Sequence, residues 1–354
     1  MESAIRLGDV VAQSNYPLPL TGRAEWTRSG QRWHTSIHLG ECPAGCIIVP
    51  SFAQLYHPAE FQFTLHARAE SAADAAHAGA TAKDVLVPLH PVPSAPPDSA
   101  KTVTAKKVTA KKVTEDTDDK AQEPQNIPPV TAHIDCWHTN AALQNVQISL
   151  SVDAGTHPAE MSDYLLCVTS RALEIEPPTA NFSTGVTTPP LPLSQMQAEA
   201  AIRQRICSPT ALAMALSRYP QPPAWDASVE ACFDPLTRAY GAWPLAIRWA
   251  ARCGIVGAVE VFSDWHEVAT ILQRDTPIVC SIRFDKDHLR GAPLTQTGGH
   301  LVTLTAVTEE HVHVYDPAAP DHDSVARRYR LDEFSQAWLK RRGAAYIFGH
   351  QQLK

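Results

Sequence analysis

The chain has 354 residues, 44% of them hydrophobic, and a formal net charge of −7 at neutral pH. That length buries more than one core, while the mild acidity gives no electrostatic footprint for nucleic acid or for an anionic membrane surface. No apolar run reaches the roughly 18 residues of a membrane span, and the opening Met1-Glu2-Ser3 has no apolar signal-peptide core, so the expected location is cytoplasmic, with export by another route left open.

Residues up to about 70 read as short strands separated by turns, with Trp26, Trp33, Ile37, Ile47-Ile48-Val49 and the alternating Phe61-Gln62-Phe63-Thr64-Leu65 as their apolar positions. The composition then changes. No aromatic residue occurs between Phe63 and Trp137, seven of the ten lysines fall between Lys83 and Lys120, and Val103-Thr104-Ala105-Lys106-Lys107 is repeated directly before an acidic run. Such a segment buries too little apolar surface to offset its ordering entropy, so a disordered insertion at about 72–129 is expected. Strand signals return over 131–173, notably the alternating Val146-Gln147-Ile148-Ser149-Leu150-Ser151-Val152. Residues 1–176 are thus expected to form a β-rich, sandwich-like accessory domain. A proline-rich linker over 177–190 follows it.

From 191 to 354 the pattern is mixed. Helices are expected over 208–218, over 243–253 with Gly254 as the stop, and over 264–273 behind Ser263 as N-cap, with a further one over 331–339. Strands are expected over 278–284, 300–307, 311–316 and 344–348. Helices first and an antiparallel sheet afterwards read as an α+β class.

Eight cysteines are spread thinly along the chain, which suits reduced thiols better than a disulfide framework. Cys42 and Cys46 amount to half a zinc site, with no second pair at finger spacing. His311 and His313 share a strand face near Asp321-His322-Asp323, but a solvated loop is the expected reading, so no metal is assigned. The basic runs Arg327-Arg328-Tyr329-Arg330 and Lys340-Arg341-Arg342 mark either an acidic substrate surface or plain exposed faces, the latter expected.

Cys207 differs from the other thiols because Cys207-Ser208-Pro209-Thr210 sets it on the first turn of a helix. Unpaired N–H groups and the positive end of the macrodipole favour thiolate there. His300 follows Gly298-Gly299 at the start of an apolar strand, and Asp316-Pro317 ends the next one. Each residue alone has an ordinary structural role: buried helix cysteine, satisfied histidine, turn-forming aspartate.

The three motifs in this order resemble the papain-like cysteine peptidases, most closely the C39-like peptidases of bacteria, over roughly 191–348. The resemblance implies a papain-like peptidase domain at 191–354 that hydrolyses peptide or related amide bonds through a thioester and needs no cofactor. Cys207 is then the nucleophile, His300 the proton carrier and Asp316 its orienter. Gln195 matches the family's glutamine that helps bind the oxyanion, with Gln197 and Gln204 as competitors and a 12-residue gap to Cys207 that is longer than in the shortest members. Two alternatives stay open: a catalytically silent peptidase-like binding module, and a thiol acyltransferase with the same triad. The expected partner is a peptide or protein substrate; oligomeric state is not legible.

Overall fold

A computed structural model describes residues 25–54, 59–69, 83–93, 127–157, 164–177 and 179–349. The N-terminal part contains β1 (Thr27–Ser29), β2 (Arg32–Cys42), β3 (Cys46–Gln54), β4 (Glu60–Ala69), β5 (Lys83–Pro88), β6 (Val130–Ala132), β7 (Trp137–Thr139), β8 (Leu143–Asp153) and β9 (Tyr164–Ala172). They form a five-stranded sheet in the order β1-β2-β8-β4-β5 and a four-stranded sheet in the order β6-β7-β3-β9. Period-2 patterning builds the layer between them: Phe61, Phe63 and Leu65 of β4 and Val146, Ile148 and Leu150 of β8 point inward to meet Ile48, Phe52, Leu166 and Val168.

Residues 83–93 correct the expected disordered insertion. β5 pairs with β4 from Thr64↔Pro88 to Ala69↔Lys83, and Val85, Leu89 and Val92 are buried. Aliphatic residues at alternate positions suffice to dock this strand without any aromatic residue. The rest of the insertion, 70–82 and 94–126, lies outside the described residues.

The C-terminal part runs β10 (Thr184–Gly185), α1 (Cys207–Leu216), α2 (Trp225–Ala231), α3 (Trp243–Arg252), β11 (Gly257–Val261), α4 (Trp265–Leu272), β12 (Ile278–Phe284), β13 (Thr297–Val307), β14 (His311–Tyr315), β15 (Ala326–Arg330), α5 (Leu331–Ala337) and β16 (Ala344–Phe348). Its sheet follows the order β11-β16-β12-β13-β14-β15, and every pairing is antiparallel. The fold is therefore mixed and strand-rich. Gly254, in the left-handed region at φ 77°, closes α3, where Ile255 N–H reaches Ala250 O and Gly254 N–H reaches Ala251 O. The N-cap of α4 is Asp264, not Ser263: its carboxylate accepts from the N–H groups of His266 and Glu267.

The segment expected as a linker also has structure. Thr184 and Gly185 add β10 to β13, and a Cβ at Gly185 would lie 2.6 Å from that of Ala306. The two halves share one core. β3 is buried at all nine positions because its alternate residues face different layers: Ile48 and Phe52 the sandwich interior, Ile47, Val49 and Ala53 the C-terminal core. Ser51, on the second of these faces, donates to Val259 O at 3.2 Å and accepts from Val259 N–H at 2.7 Å. Arg171 of β9 reaches across as well, donating to Phe262 O at 2.6 Å and Leu339 O at 2.7 Å. No helix among the described residues is long and apolar enough to cross a membrane.

Candidate active site

Helix α1 is buried at every position after Cys207, so it is apolar all round and runs through the middle of the C-terminal part. Its seat is set by hydrogen bonds. Thr303 Oγ1 of β13 donates to Ala211 O at 3.0 Å, Ser208 and Tyr346 of β16 share one at 2.8 Å, and Trp225 Nε1 donates to Thr210 Oγ1 at 3.0 Å. The preceding Ile206 has no capping side chain, which leaves first-turn N–H groups for the thiol, and Pro209 sits where its missing N–H costs nothing.

His300 lies on the strand that α1 packs against. Its Nε2 bonds Asp316 Oδ1 at 2.8 Å, and both residues are buried, at 2% and 1% exposure. With Nε2 engaged, Nδ1 is the nitrogen left for Cys207, whose side chain also hydrogen-bonds His300. Burial pushes the half-buried Cys207 thiol up, but the His300 hydrogen bond and charge outweigh it. With the N–H groups of Leu301 and Ser208 adding to them, the thiol is held below its ordinary value. For His300, burial favours the neutral ring, and the Asp316 charge and hydrogen bond together with Cys207 overcome it, raising the group to about 10. The arrangement favours a thiolate–imidazolium pair.

Asp316 is itself held. Burial raises its carboxyl, yet His300, Tyr329 and the Ala318 N–H more than reverse this and keep it ionised. Tyr329 Oη donates to Oδ2 at 2.7 Å, and Ala318 N–H donates to Oδ1 at 2.9 Å. Tyr329 was not foreseen. It hides within a run of arginines, and the available signal was its position as the one aromatic residue on a strand whose neighbours are charged. It is buried at 1% exposure while Arg328 and Arg330 face outward.

The structure brings Cys207, His300 and Asp316 together. Gln195 is tied instead to the loop after Asp316: its N–H donates to Pro317 O at 2.8 Å and its Nε2 to Arg203 O at 2.6 Å, while Oε1 is buried without a partner. Its competitors Gln197 and Gln204 are exposed. His322 Nδ1 accepts from Ser194 N–H at 2.9 Å, which anchors the same segment. Among the described residues no group of three or more His, Cys, Asp or Glu side chains is placed to hold a metal ion. A cavity of about 790 Å³ between the end of β12 and α5 does not include the Cys207–His300 pair. Gly298 and Gly299 are exposed, and a Cβ on either would meet nothing within 4 Å, so the approach to His300 is open.

Comparison with curated proteins found no match. A solved structure from Bacillus anthracis, described as C39-like, aligns at 16% identity over 48% of this chain and 99% of its own, with a TM-score of 0.37. The Peptidase_C39 like family matches residues 191–346, the stretch that contains Cys207, His300, Asp316 and Tyr329. Over residues 191–346, then, this part of the chain is similar to the C39-like family.

Proposed function

We propose that the protein is a cysteine peptidase with a papain-like Cys207–His300–Asp316 triad. The observation that supports this most is the buried His300–Asp316 bond of 2.8 Å, on a ring that also hydrogen-bonds a first-turn cysteine with a lowered pKa. The Cys207 thiolate attacks the substrate carbonyl carbon, and the charge moves to the carbonyl oxygen. The Cys207 backbone N–H and, in this reading, the second Nε2 proton of Gln195, the one not given to Arg203 O, receive that oxyanion. Collapse breaks the C–N bond as the imidazolium gives its Nδ1 proton to the leaving amine, forming a thioester. Water then adds with His300 as base and restores the thiol. Residues 1–176 act as an accessory unit joined through 177–190 to the catalytic part at 191–354. All eight thiols are free, which suits a reducing compartment such as the cytoplasm.

The test is alkylation by iodoacetamide at neutral pH with the modified residue mapped by mass spectrometry. Cys207 is expected to react first, well ahead of the other seven thiols, and a peptide ester is expected to leave an acyl group on it. Reaction no faster than at Cys253, the other half-buried thiol, would remove the enzyme reading and leave a binding module. An acyl-enzyme that resolves only with added amines would identify a transferase.

The residues behind Asp316 give a graded expectation. Asp316→Ala, folded by circular dichroism, should slow acyl-enzyme formation by more than about tenfold. Tyr329→Phe removes one hydrogen bond to Oδ2 and should cost about tenfold, the low end of the roughly 1.5–3 kcal/mol for a lost bond to a charged group. Equal single-turnover rates in Asp316→Ala and the wild type would leave a Cys207–His300 dyad.

A further inference from the structure

The place of Gln195 is set from outside its own segment. Gln195 lies 12 residues before Cys207, and residues 200–205 between them form turns that are exposed apart from Ile202, a poor spacer for holding a side chain against the start of α1. The loop after Asp316 does the holding. Ser194 N–H donates to His322 Nδ1 at 2.9 Å, Ser194 Oγ to Ala319 O, Gln195 N–H to Pro317 O at 2.8 Å and Gln197 Nε2 to Pro320 O at 2.7 Å. Three of these acceptors are main-chain carbonyls, and His322 supplies the other from a side chain.

The His322 ring is itself fixed. It opens the one-turn 3₁₀ helix His322–Ser324, which Asp321 and Ser324 close on each other: Asp321 Oδ1 accepts from Ser324 N–H at 2.9 Å, and Asp321 N–H donates to Ser324 Oγ at 3.4 Å. The ring meets Trp225 edge-on with centroids 6.3 Å apart, and Trp225 Nε1 is bound to Thr210 Oγ1 of α1 at 3.0 Å. Contact thus runs from the helix that carries Cys207, through Thr210, Trp225 and His322, to Ser194, the neighbour of Gln195. Because Nδ1 accepts, the proton of the neutral ring sits on Nε2.

We infer that His322 is a positioning residue for the reaction: by accepting the Ser194 N–H it holds the Gln195 amide where the oxyanion develops, and so acts on acylation through Gln195. Bonds at two successive N–H groups, those of Ser194 and Gln195, orient the backbone there and with it the direction in which the Gln195 side chain leaves the chain. Oxyanion donors work by being preorganised, and a displacement of about 1 Å can cost up to about a hundredfold in rate. The same loop carries Asp316 at its start, so one stretch of chain sets both the imidazole and the glutamine. This rests on the reading of Gln195 as an oxyanion donor to a Cys207 acyl-transfer site.

The experiment compares two reactions of Cys207 in the full-length protein. Acylation by a peptide ester puts charge on the carbonyl oxygen. Alkylation by iodoacetamide forms the S–C bond as iodide leaves and charges no oxygen, so it senses the thiolate but not the oxyanion donors. His322→Phe keeps a ring beside Trp225 and removes the acceptor, His322→Ala removes both, and His322→Asn offers an amide oxygen to Ser194 N–H. His322→Phe and His322→Ala are expected to slow single-turnover acylation by about tenfold, with the half-saturating ester concentration unchanged and alkylation within about twofold of the wild type. His322→Asn should restore most of the rate. In Gln195→Ala, itself about a hundredfold slower in acylation, His322→Phe should cost nothing further. His322 is exposed, so the variants should melt close to the wild type. The inference is overturned by unchanged acylation in His322→Phe and His322→Ala, by alkylation slowed along with acylation, by a full further loss on top of Gln195→Ala, or by a slow His322→Ala beside a normal His322→Phe. In the last three cases His322 would act through the triad, independently of Gln195, or by packing. A wild type that alkylates Cys207 no faster than Cys253 and takes up no acyl group fails the peptidase reading itself, and the inference falls with it.

Discussion

His300→Ala should lower kcat/KM by about 10³- to 10⁴-fold while the protein stays folded, because it removes the proton carrier and the charge that holds Cys207 as thiolate. The pH profile carries the diagnostic sign. The active pair needs Cys207 deprotonated and His300 protonated, so the rate should rise with pH through the lowered thiol pKa and fall as pH passes the raised imidazole value of about 10. In His300→Ala the low-pH limb of Cys207 alkylation should move up to the range of an ordinary or buried thiol. Stability should follow the same groups. His300, raised on folding, contributes fully below its unfolded value of about 6.5 and loses that contribution as pH rises through the folded value. Asp316, lowered on folding, contributes above about 3.9 and loses it as pH falls further. An alkylation profile that is the same with and without His300 would contradict the pairing.

The parts of this site legible in the sequence were those encoded locally. A cysteine at a helix start, a glycine pair before a histidine and an aspartate before a proline each shape their own few residues, and the Cys207 helix and the 278–284 and 344–348 strands fall where periodicity put them. What was missed depends on long-range register. Tyr329 reaches Asp316 only because β15 pairs with β14. The buried strand β3 reads as a plain apolar run, and nothing in it says that its two faces serve different cores. Within 83–93 the missing aromatics outweighed a sound alternation at Val85 and Val87, since composition averages over a window that pairing does not respect.

Arg171→Met should destabilise the protein by roughly 3 kcal/mol or more, the largest loss expected from a single change outside the catalytic groups. Arg171 is buried at 8% exposure on β9, and its fork donates to the carbonyls of Phe262, Leu173, Leu339 and Arg341. Burial lowers its pKa to about 10, still charged at neutral pH, with Glu267 offsetting part of that cost. Phe262 follows β11, and Leu339 and Arg341 lie between α5 and β16, so one side chain from the sandwich ties down two loops of the C-terminal part. The Phe262 loop is tight. Gly343, at φ +61°, approaches so closely that a Cβ there would run into Phe262 O and Arg171 Nη1. Methionine keeps most of the volume and strands the buried carbonyls, each worth about 1–3 kcal/mol when unpaired. Urea denaturation followed by tryptophan fluorescence gives the loss. Because Arg171 holds the two parts together, the Met variant should also split one unfolding transition into two, and Arg171→Lys, with its charge but a shorter reach, should fall between. A midpoint within about 0.5 kcal/mol of the wild type would mean that the shared apolar core, through Ile47, Val49 and Cys167, holds the two parts together without it.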